Sequence, residues 1–273
     1  SEAEQQRMKE ERIFGGIIAR ETQALRTFFG KEIAVPPLPK EATAERILEW
    51  RRLGFELHYL PRISLAEIKR DPEGKILDVI PIEFPGEKTK LRKNIKLFDE
   101  VKAGDLIPSA LDLFGDWMLV DAREKPDYNN GDPMYANDVL APALEKLREE
   151  NVIKNYERKK SRFNLSAEEL ENPKVLETFA EALDFNTVPG LIIGLPRAIE
   201  FITLGNIFYP QWDQTTAREW FSDIRKNNRR LFGGRSAPDL PYIIRTVPED
   251  RSDSIAFRII ARFSSNQKQA HRK

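Results

Sequence analysis

Carboxylates are the most plentiful side chains in this sequence that could support chemistry, with Asp116, Asp121, Asp127 and Glu219 the strongest candidates. Paired carboxylates hydrolyse glycosidic bonds, and with a divalent cation they act on phosphates. No nucleophile elbow, phosphate-binding loop or dinucleotide fingerprint accompanies them. A carboxylate- or metal-dependent hydrolase is therefore one alternative, supported by the abundance of acids alone.

Oxygen ligands suited to a hard cation also gather in one turn, at Asp127, Asn129, Asp132 and Asp138. The EF-hand pattern is not met, because the glycine comes one position too early and no glutamate stands at the twelfth position. We interpret the segment as a polar turn built around Asn130-Gly131 that precedes a helix.

Residue counts exclude several kinds of site. The chain has no cysteine, which removes disulfides, thiolate nucleophiles, zinc–cysteine sites and iron–sulfur clusters. His58 and His271 are too few for a histidine-rich metal centre. No cofactor is expected, and a structural divalent cation is an alternative that no motif supports.

The charge balance gives no general attraction to nucleic acid or lipid, since Lys+Arg and Asp+Glu both total 44 among 273 residues. One basic run, Lys88 to Lys96, could meet phosphates, but Asp99 and Glu100 follow it and favour a solvated loop. No apolar run approaches the roughly 20 residues of a membrane helix. Ser1 to Arg12 lacks the apolar region of a signal peptide, so a cytoplasmic location is expected.

The first 35 residues are predicted to form a helical arm. Apolar residues at helical spacing indicate a helix from Glu2 to Phe29, ended by Gly30. Periodicity does not decide whether this helix packs on its own domain or mediates oligomers. A structural or assembly protein of a phage-like or surface particle is thus a further alternative.

Residues 36–110 are predicted to form a helix-and-strand segment after a proline-rich connector at Pro36-Pro37-Leu38-Pro39. The predicted elements are a helix at Thr43–Leu53, a strand at Phe55–Leu60, a short helix opened by a capping box at Ser64–Glu67, and a strand at Ile76–Phe84. His58 falls on the polar phase of its strand and is interpreted as a surface or hydrogen-bonded histidine.

Residues 111–265 are predicted to form the main domain, followed by a basic tail at 266–273. Its predicted elements are a strand at Asp116–Asp121, a helix at Tyr135–Glu150, an exposed linker at Arg158–Arg162, a helix at Ser166–Leu183 interrupted by Pro173, a buried segment at Val188–Ile193, and a last strand at Ile255–Phe263. The boundary near 110 is open, because Asp116–Val120 is a candidate for pairing with the last strand.

Four motifs between Leu195 and Phe263 carry more information together than singly. Leu195-Pro196-x-x-x-Glu200-Phe201 begins a helix with proline in its first turn. Arg218-Glu219-Trp220-Phe221 follows, then Gly233-Gly234-Arg235-Ser236, where the glycines allow a tight backbone. The strand Ile255–Phe263 closes the series with Ala256-Phe257-Arg258.

In this order the motifs resemble those of the C-type-lectin-like fold in its formylglycine-generating-enzyme branch. That family has a Leu-Pro-x-x-x-Glu-Trp helix start, a Trp-Glu-Trp stretch, an Arg-Gly-Gly-Ser-Trp turn and a terminal Gly-Phe-Arg strand. Phe201 replaces the first tryptophan here. The resemblance implies an α+β protein whose C-terminal domain has a twisted antiparallel sheet and two flanking helices, at Ser166–Leu183 and Pro196–Leu204.

The differences between this chain and the family matter most for the function that is expected. Its formylglycine-generating members use paired cysteines with copper, and related sulfoxide synthases use iron held by histidines; this chain lacks both ligand sets. The resemblance therefore implies a non-catalytic binding scaffold, similar to the variable proteins of diversity-generating retroelements. Those proteins bind varied ligands through diversified residues before the final strand.

The corresponding segment here is Ile224 to Ser254, which is rich in cations and amides suited to a protein partner or a polar, acidic ligand. Its candidate ligand-binding residues are Arg225, Lys226, Asn228, Arg229, Arg230, Arg235, Tyr242 and Arg245. The alternative is a solvated loop whose arginines pair with Glu219, Asp223, Asp239, Glu249 and Asp250. Arg258 is expected to form a structural ion pair with Glu200.

Overall fold

The protein is described by a computed structural model over residues 1–87, 96–128, 134–234 and 243–264. Its helices are α1 (Glu2–Phe29), α2 (Ala44–Arg52), α3 (Lys96–Lys102), α4 (Ala141–Glu149), α5 (Ala167–Glu171), α6 (Pro173–Ala182) and α7 (Ala198–Ile207). Its strands are β1 (Phe55–Leu60), β2 (Ala66–Arg70), β3 (Ile76–Pro81), β4 (Asp116–Asp121), β5 (Leu191–Gly194), β6 (Arg218–Arg225), β7 (Arg229–Gly233), β8 (Ile243–Thr246), β9 (Ile255–Ala256) and β10 (Ile260–Phe263). The predicted α+β class is confirmed.

The first sheet has the strand order β1-β4-β10-β5, with every neighbouring pair antiparallel. The predicted pairing of the Asp116 strand with the last strand is confirmed, since Val120 lies opposite Ile260. On one face His58 of β1 contacts α1, and on the other Trp50 of α2 packs against Phe263 at 6.1 Å between ring centroids. The sheet takes strands from both sides of the predicted boundary near residue 110 and lies within one continuous core.

The second sheet has the order β8-β7-β6-β9, in which β6 and β7 form a hairpin and β6 pairs in parallel with β9. The predicted final strand, Ile255–Phe263, is therefore divided between two sheets. Residues 257–259 carry the chain from β9 in the second sheet to β10 in the first. The alternation of apolar and polar side chains does not show this division, because both strands repeat every two residues.

A two-stranded ribbon of β2 and β3 replaces the short helix predicted at Ser64–Glu67, so that prediction was wrong. The Ser64 hydroxyl donates to the Ala66 carbonyl at 2.8 Å instead of capping a helix. Pairing with β3 supplies the backbone hydrogen bonds that a helix would otherwise provide, and this long-range partner outweighs the local capping signal.

Helix α1 has the predicted bounds, and Gly30 ends it in the left-handed conformation with φ 69°. Its C-terminal half packs into the core through Ile17, Leu25 and Phe28, while residues 1–9 are exposed. Glu21 is fully buried, accepting from the Tyr59 amide at 2.8 Å and lying 3.0 Å from His58 Nδ1. His58 is thus buried and hydrogen-bonded, in agreement with one of its two interpretations.

Predictions for the central region have mixed outcomes. The helix predicted from Tyr135 begins at Ala141, with Pro142 in its first turn. The predicted capping box at Ser166 is confirmed, and Pro173 divides the following helix into α5 and α6. Arg162, predicted in an exposed linker, is buried and binds Asp138 at 2.6 Å, so that prediction was wrong.

Among the described residues, no helix combines the length and the apolar character needed to span a membrane.

Candidate functional site

The predicted binding segment begins at the turn of the β6–β7 hairpin, formed by Lys226–Asn228. Asn227 and Asn228 have left-handed backbones, with φ of 62° and 59°. Asparagine tolerates this conformation better than most residues, which explains the two consecutive amides at the tip. Arg225 and Arg229 face each other across the strands that the turn joins.

Contacts to the α3 region hold this hairpin turn in place. The Lys226 amide donates to the Asp105 carbonyl at 2.9 Å. Arg225 binds Glu100 through Nε and Asp105 through Nη2, the second at 2.7 Å from Oδ2. Arg245 of β8 reaches the same Glu100, with Nη1 2.6 Å from Oε1. Because two arginines and a backbone amide converge on residues 100–105, the turn is fixed before any ligand arrives.

Arg230 supports the turn from the other side. Its Nε and Nη2 bind the two oxygens of Glu171 at 2.8 and 3.0 Å, a bidentate arrangement. Its Nη1 donates to the Asn228 backbone and side-chain oxygens at 3.0 and 2.7 Å. Of the predicted binding residues, Arg225, Arg230 and Arg245 are therefore engaged within the protein. Asn228 is exposed, but its oxygens already serve Arg230.

Two predicted binding residues remain available at the tip. Lys226 and Arg229 are exposed, and neither forms an ion pair with any other residue in the described ranges. The remaining two, Arg235 and Tyr242, lie outside the described residues, so the prediction for them stays open.

Two exposed isoleucines accompany these cations. Ile224 of β6 is 58% exposed and Ile107 is 67% exposed. Both line a groove of about 470 Å³ that also includes Lys226 and Pro108. We define Ile107, Ile224, Lys226, Asn228 and Arg229 as the hairpin surface. Ile107 was missed from the sequence because it lies more than a hundred positions from the hairpin and only the fold brings it there.

The ion pairs of this region differ from those expected. Arg225, Arg230 and Arg245 pair with Glu100, Asp105 and Glu171 rather than with the nearby acids predicted for them. Of those predicted acids, Asp239 lies outside the described residues. The prediction failed because it drew partners from the same segment, whereas the strands face α3 and α5.

A buried charge cluster lies where the chain crosses between the two sheets. Arg258 is 1% exposed and binds both oxygens of Glu219 at 2.9 Å. The expected partner Glu200 binds Arg262 and Arg197 instead. Tyr135 donates to Glu219 at 3.0 Å, and burial together with that carboxylate raises the pKa of Tyr135 well above its ordinary value. This cluster is closed off from solvent, and it joins β6 to the segment between β9 and β10.

Two of the other acids considered for chemistry, Asp121 and Asp127, also have internal partners. Burial alone would raise the pKa of Asp121, but Arg162, Arg258 and Arg123 surround it and lower that pKa overall. Asp127 accepts from the Thr216 amide at 3.1 Å. No group of three or more His, Cys, Asp or Glu side chains that could hold a metal ion is found in the part of the chain that the structure describes.

Comparison with known proteins gives no further guidance: no protein-family model matches the sequence, and neither the curated proteins nor the solved structures give a significant match.

Proposed function

We propose that this protein recognises an acidic polypeptide through the hairpin surface. The observation that carries the proposal is the pairing of two exposed isoleucines, Ile107 and Ile224, with two exposed cations, Lys226 and Arg229, on a turn fixed by internal ion pairs. An apolar centre with a cationic rim complements a partner that presents one large apolar side chain among carboxylates.

Rigidity of the turn supports a binding role. A surface that is ordered before association loses less conformational entropy on binding, so more of the interaction energy appears as affinity. Arg225 and Arg230 supply that order and are supporting residues in this account. Lys226, Arg229 and the isoleucines are the residues that contact the partner.

We also propose that the C-terminal part is built on a C-type-lectin-like scaffold, as the motif resemblance implies. In its support, the four motifs meet in space. Phe201 packs against Phe221 with ring centroids 5.2 Å apart, and Arg258 binds Glu219. Gly234 has φ 92°, and a Cβ there would lie 3.2 Å from Phe201. Residues distant in the sequence thus form one framework beneath the hairpin.

The proposal is tested by panning a phage-displayed library of random peptides against the full chain. We expect the selected peptides to be enriched in aspartate and glutamate around one large apolar residue, with affinities that fall as salt concentration rises. The triple variant Ile224→Ser, Lys226→Ala, Arg229→Ala should weaken a selected peptide by at least about tenfold, because central interface residues dominate affinity.

A matched control removes one large apolar side chain, one lysine and one arginine elsewhere. Met8, Lys9 and Arg12 are exposed on α1, so Met8→Ser, Lys9→Ala, Arg12→Ala makes an equivalent change far along the chain from the hairpin. The control should bind like the wild type. Equal loss in both triple variants, or peptides without acidic enrichment, would refute the proposal.

A further inference from the structure

A second cavity lies between the two four-stranded sheets and shares no lining residue with the groove at the hairpin surface. Its volume is about 520 Å³, within the range of roughly 300–1,000 Å³ typical of small-molecule sites. Strands β4, β5 and β10 of the first sheet and β6 of the second contribute to its walls.

Most of the wall is apolar. Phe114, Leu170, Leu176 and Leu195 line the cavity, and together they can enclose a ring or a branched hydrocarbon group. Gly194 of β5 also lines it, and a Cβ added there would meet no atom within 4 Å. The space above Gly194 is therefore open, and a side chain placed there would occupy the cavity.

The cations at the wall already have internal partners. Arg262 binds Glu200, with Nη1 2.7 Å from Oε2. Arg197 donates to the carbonyls of Ser109 and Asp112 at 3.1 and 2.7 Å. Glu171, which lines the cavity as well, is held by Arg230. An anionic ligand would have to compete with these contacts.

Asp116 differs from the other charged residues at the cavity wall, because it has no internal partner within the described ranges. It is half-buried, and its carboxylate accepts no hydrogen bond and forms no ion pair within the described ranges. Burial raises the pKa of Asp116 above its ordinary value, against the opposing attraction of Arg262. A partly desolvated carboxylate without a donor gains most from a cationic hydrogen-bond donor.

We propose that this cavity binds a small primary amine carrying an apolar group, with its ammonium on Asp116 and its apolar group among Phe114, Leu170, Leu176 and Leu195. The inference is independent of the hairpin surface, because it concerns a different cavity and a different class of ligand.

The test uses two probes that share a phenyl group and differ in the charge of the head group: 2-phenylethylamine and 3-phenylpropionate. Titration calorimetry with the full chain should show binding of the amine and little or none of the acid. Asp116→Asn should weaken the amine by about tenfold or more, as loss of a charged hydrogen bond does. Gly194→Leu should abolish binding by filling the cavity.

Glu67→Gln is the matched control, because it makes the same chemical change at an exposed carboxylate on β2. Its affinity for the amine should equal that of the wild type. Circular dichroism would show whether each variant is folded. If Asp116→Asn does not fold, the affinity of Gly194→Leu for the amine decides the question. Failure of the wild type to bind the amine, unchanged affinity in a folded Asp116→Asn or Gly194→Leu, or tighter binding of the acid would overturn the proposal.

Discussion

At the scale of single residues, most of the buried acids pair with an arginine. Asp121, Glu200 and Glu219 all have arginine partners. Asp223 differs, because it accepts a hydrogen bond from a neutral group, the Ala198 amide, at 2.6 Å. Burial raises the pKa of Asp223 from 3.8 to about 6, although the Ala198 amide and Arg197 act in the opposite direction.

This shift predicts how stability depends on pH. The folded state holds the Asp223 proton more tightly than the unfolded state does, so the stabilisation is fully present below pH 3.8 and is lost as pH rises through about 6. Asp223→Asn keeps an acceptor for Ala198 but does not titrate. Relative to the wild type, its free energy of unfolding should rise by roughly 2–3 kcal/mol between pH 4 and pH 7.5.

Urea unfolding of both proteins at the two pH values measures this difference. Other ionisable groups are shared by the two proteins and largely cancel in the comparison. A difference that stays constant between pH 4 and pH 7.5 would show that Asp223 ionises normally in the folded protein.

At the scale of elements, two glycines are expected to respond to alanine in opposite ways. Gly16 lies within α1, and a Cβ there would meet no atom within 4 Å. Gly86 packs against the end of the same helix: its Cβ would lie 2.3 Å from Phe28 Cα and 2.7 Å from the Thr27 carbonyl oxygen. The Gly86 amide also donates to the Phe28 carbonyl at 3.0 Å.

Gly16→Ala should therefore stabilise the protein by about 0.5–1 kcal/mol, because alanine loses less entropy in a helix. Gly86→Ala should destabilise it by about 1–3 kcal/mol, because backbone atoms must move to admit the methyl group. Thermal unfolding of the two single variants gives both values. Similar shifts of Tm in the same direction would contradict the described packing of 84–87 on α1.

The elements that could be predicted from sequence are those with strong local signals. Helix α1 with its terminal Gly30, the capping box at Ser166 and the strand at Asp116 all follow from nearby residues. The capping box at Ser64 failed because a distant strand, β3, provides competing hydrogen bonds. Local patterns specify local hydrogen bonding well, but they carry no information about partners elsewhere in the chain.

Some candidate site residues could likewise be predicted from the local sequence, and others could not. The segment around Lys226 and Arg229 was predicted from the family resemblance and from its cations, and the structure places both residues exposed at the hairpin turn. Ile107 and the anchoring acid Glu100 could not be predicted, since nothing near the hairpin in sequence indicates them. Arg162 was wrongly predicted to be exposed, because it ends a charged run. In the structure it is buried and forms ion pairs with Asp121 and Asp138.

At the scale of the whole molecule, the crossing between the two sheets organises the fold. The chain passes from β9 to β10 at residues 257–259, and Arg258 at this point binds Glu219 together with the carbonyls of Asp121 and Arg123. A single buried guanidinium thereby ties β4, β6 and the crossing together. This arrangement gives the hairpin a rigid base, while α3 holds its tip.

The central claim is that the hairpin surface is where a partner binds. Hydrogen exchange of the full chain, measured with and without a selected acidic peptide, tests it most directly. The account predicts slower amide exchange at residues 104–107 and 224–229 when the peptide is bound, with residues 1–12 unchanged. Peptide binding that slows exchange elsewhere and leaves both of those segments unaffected would contradict it.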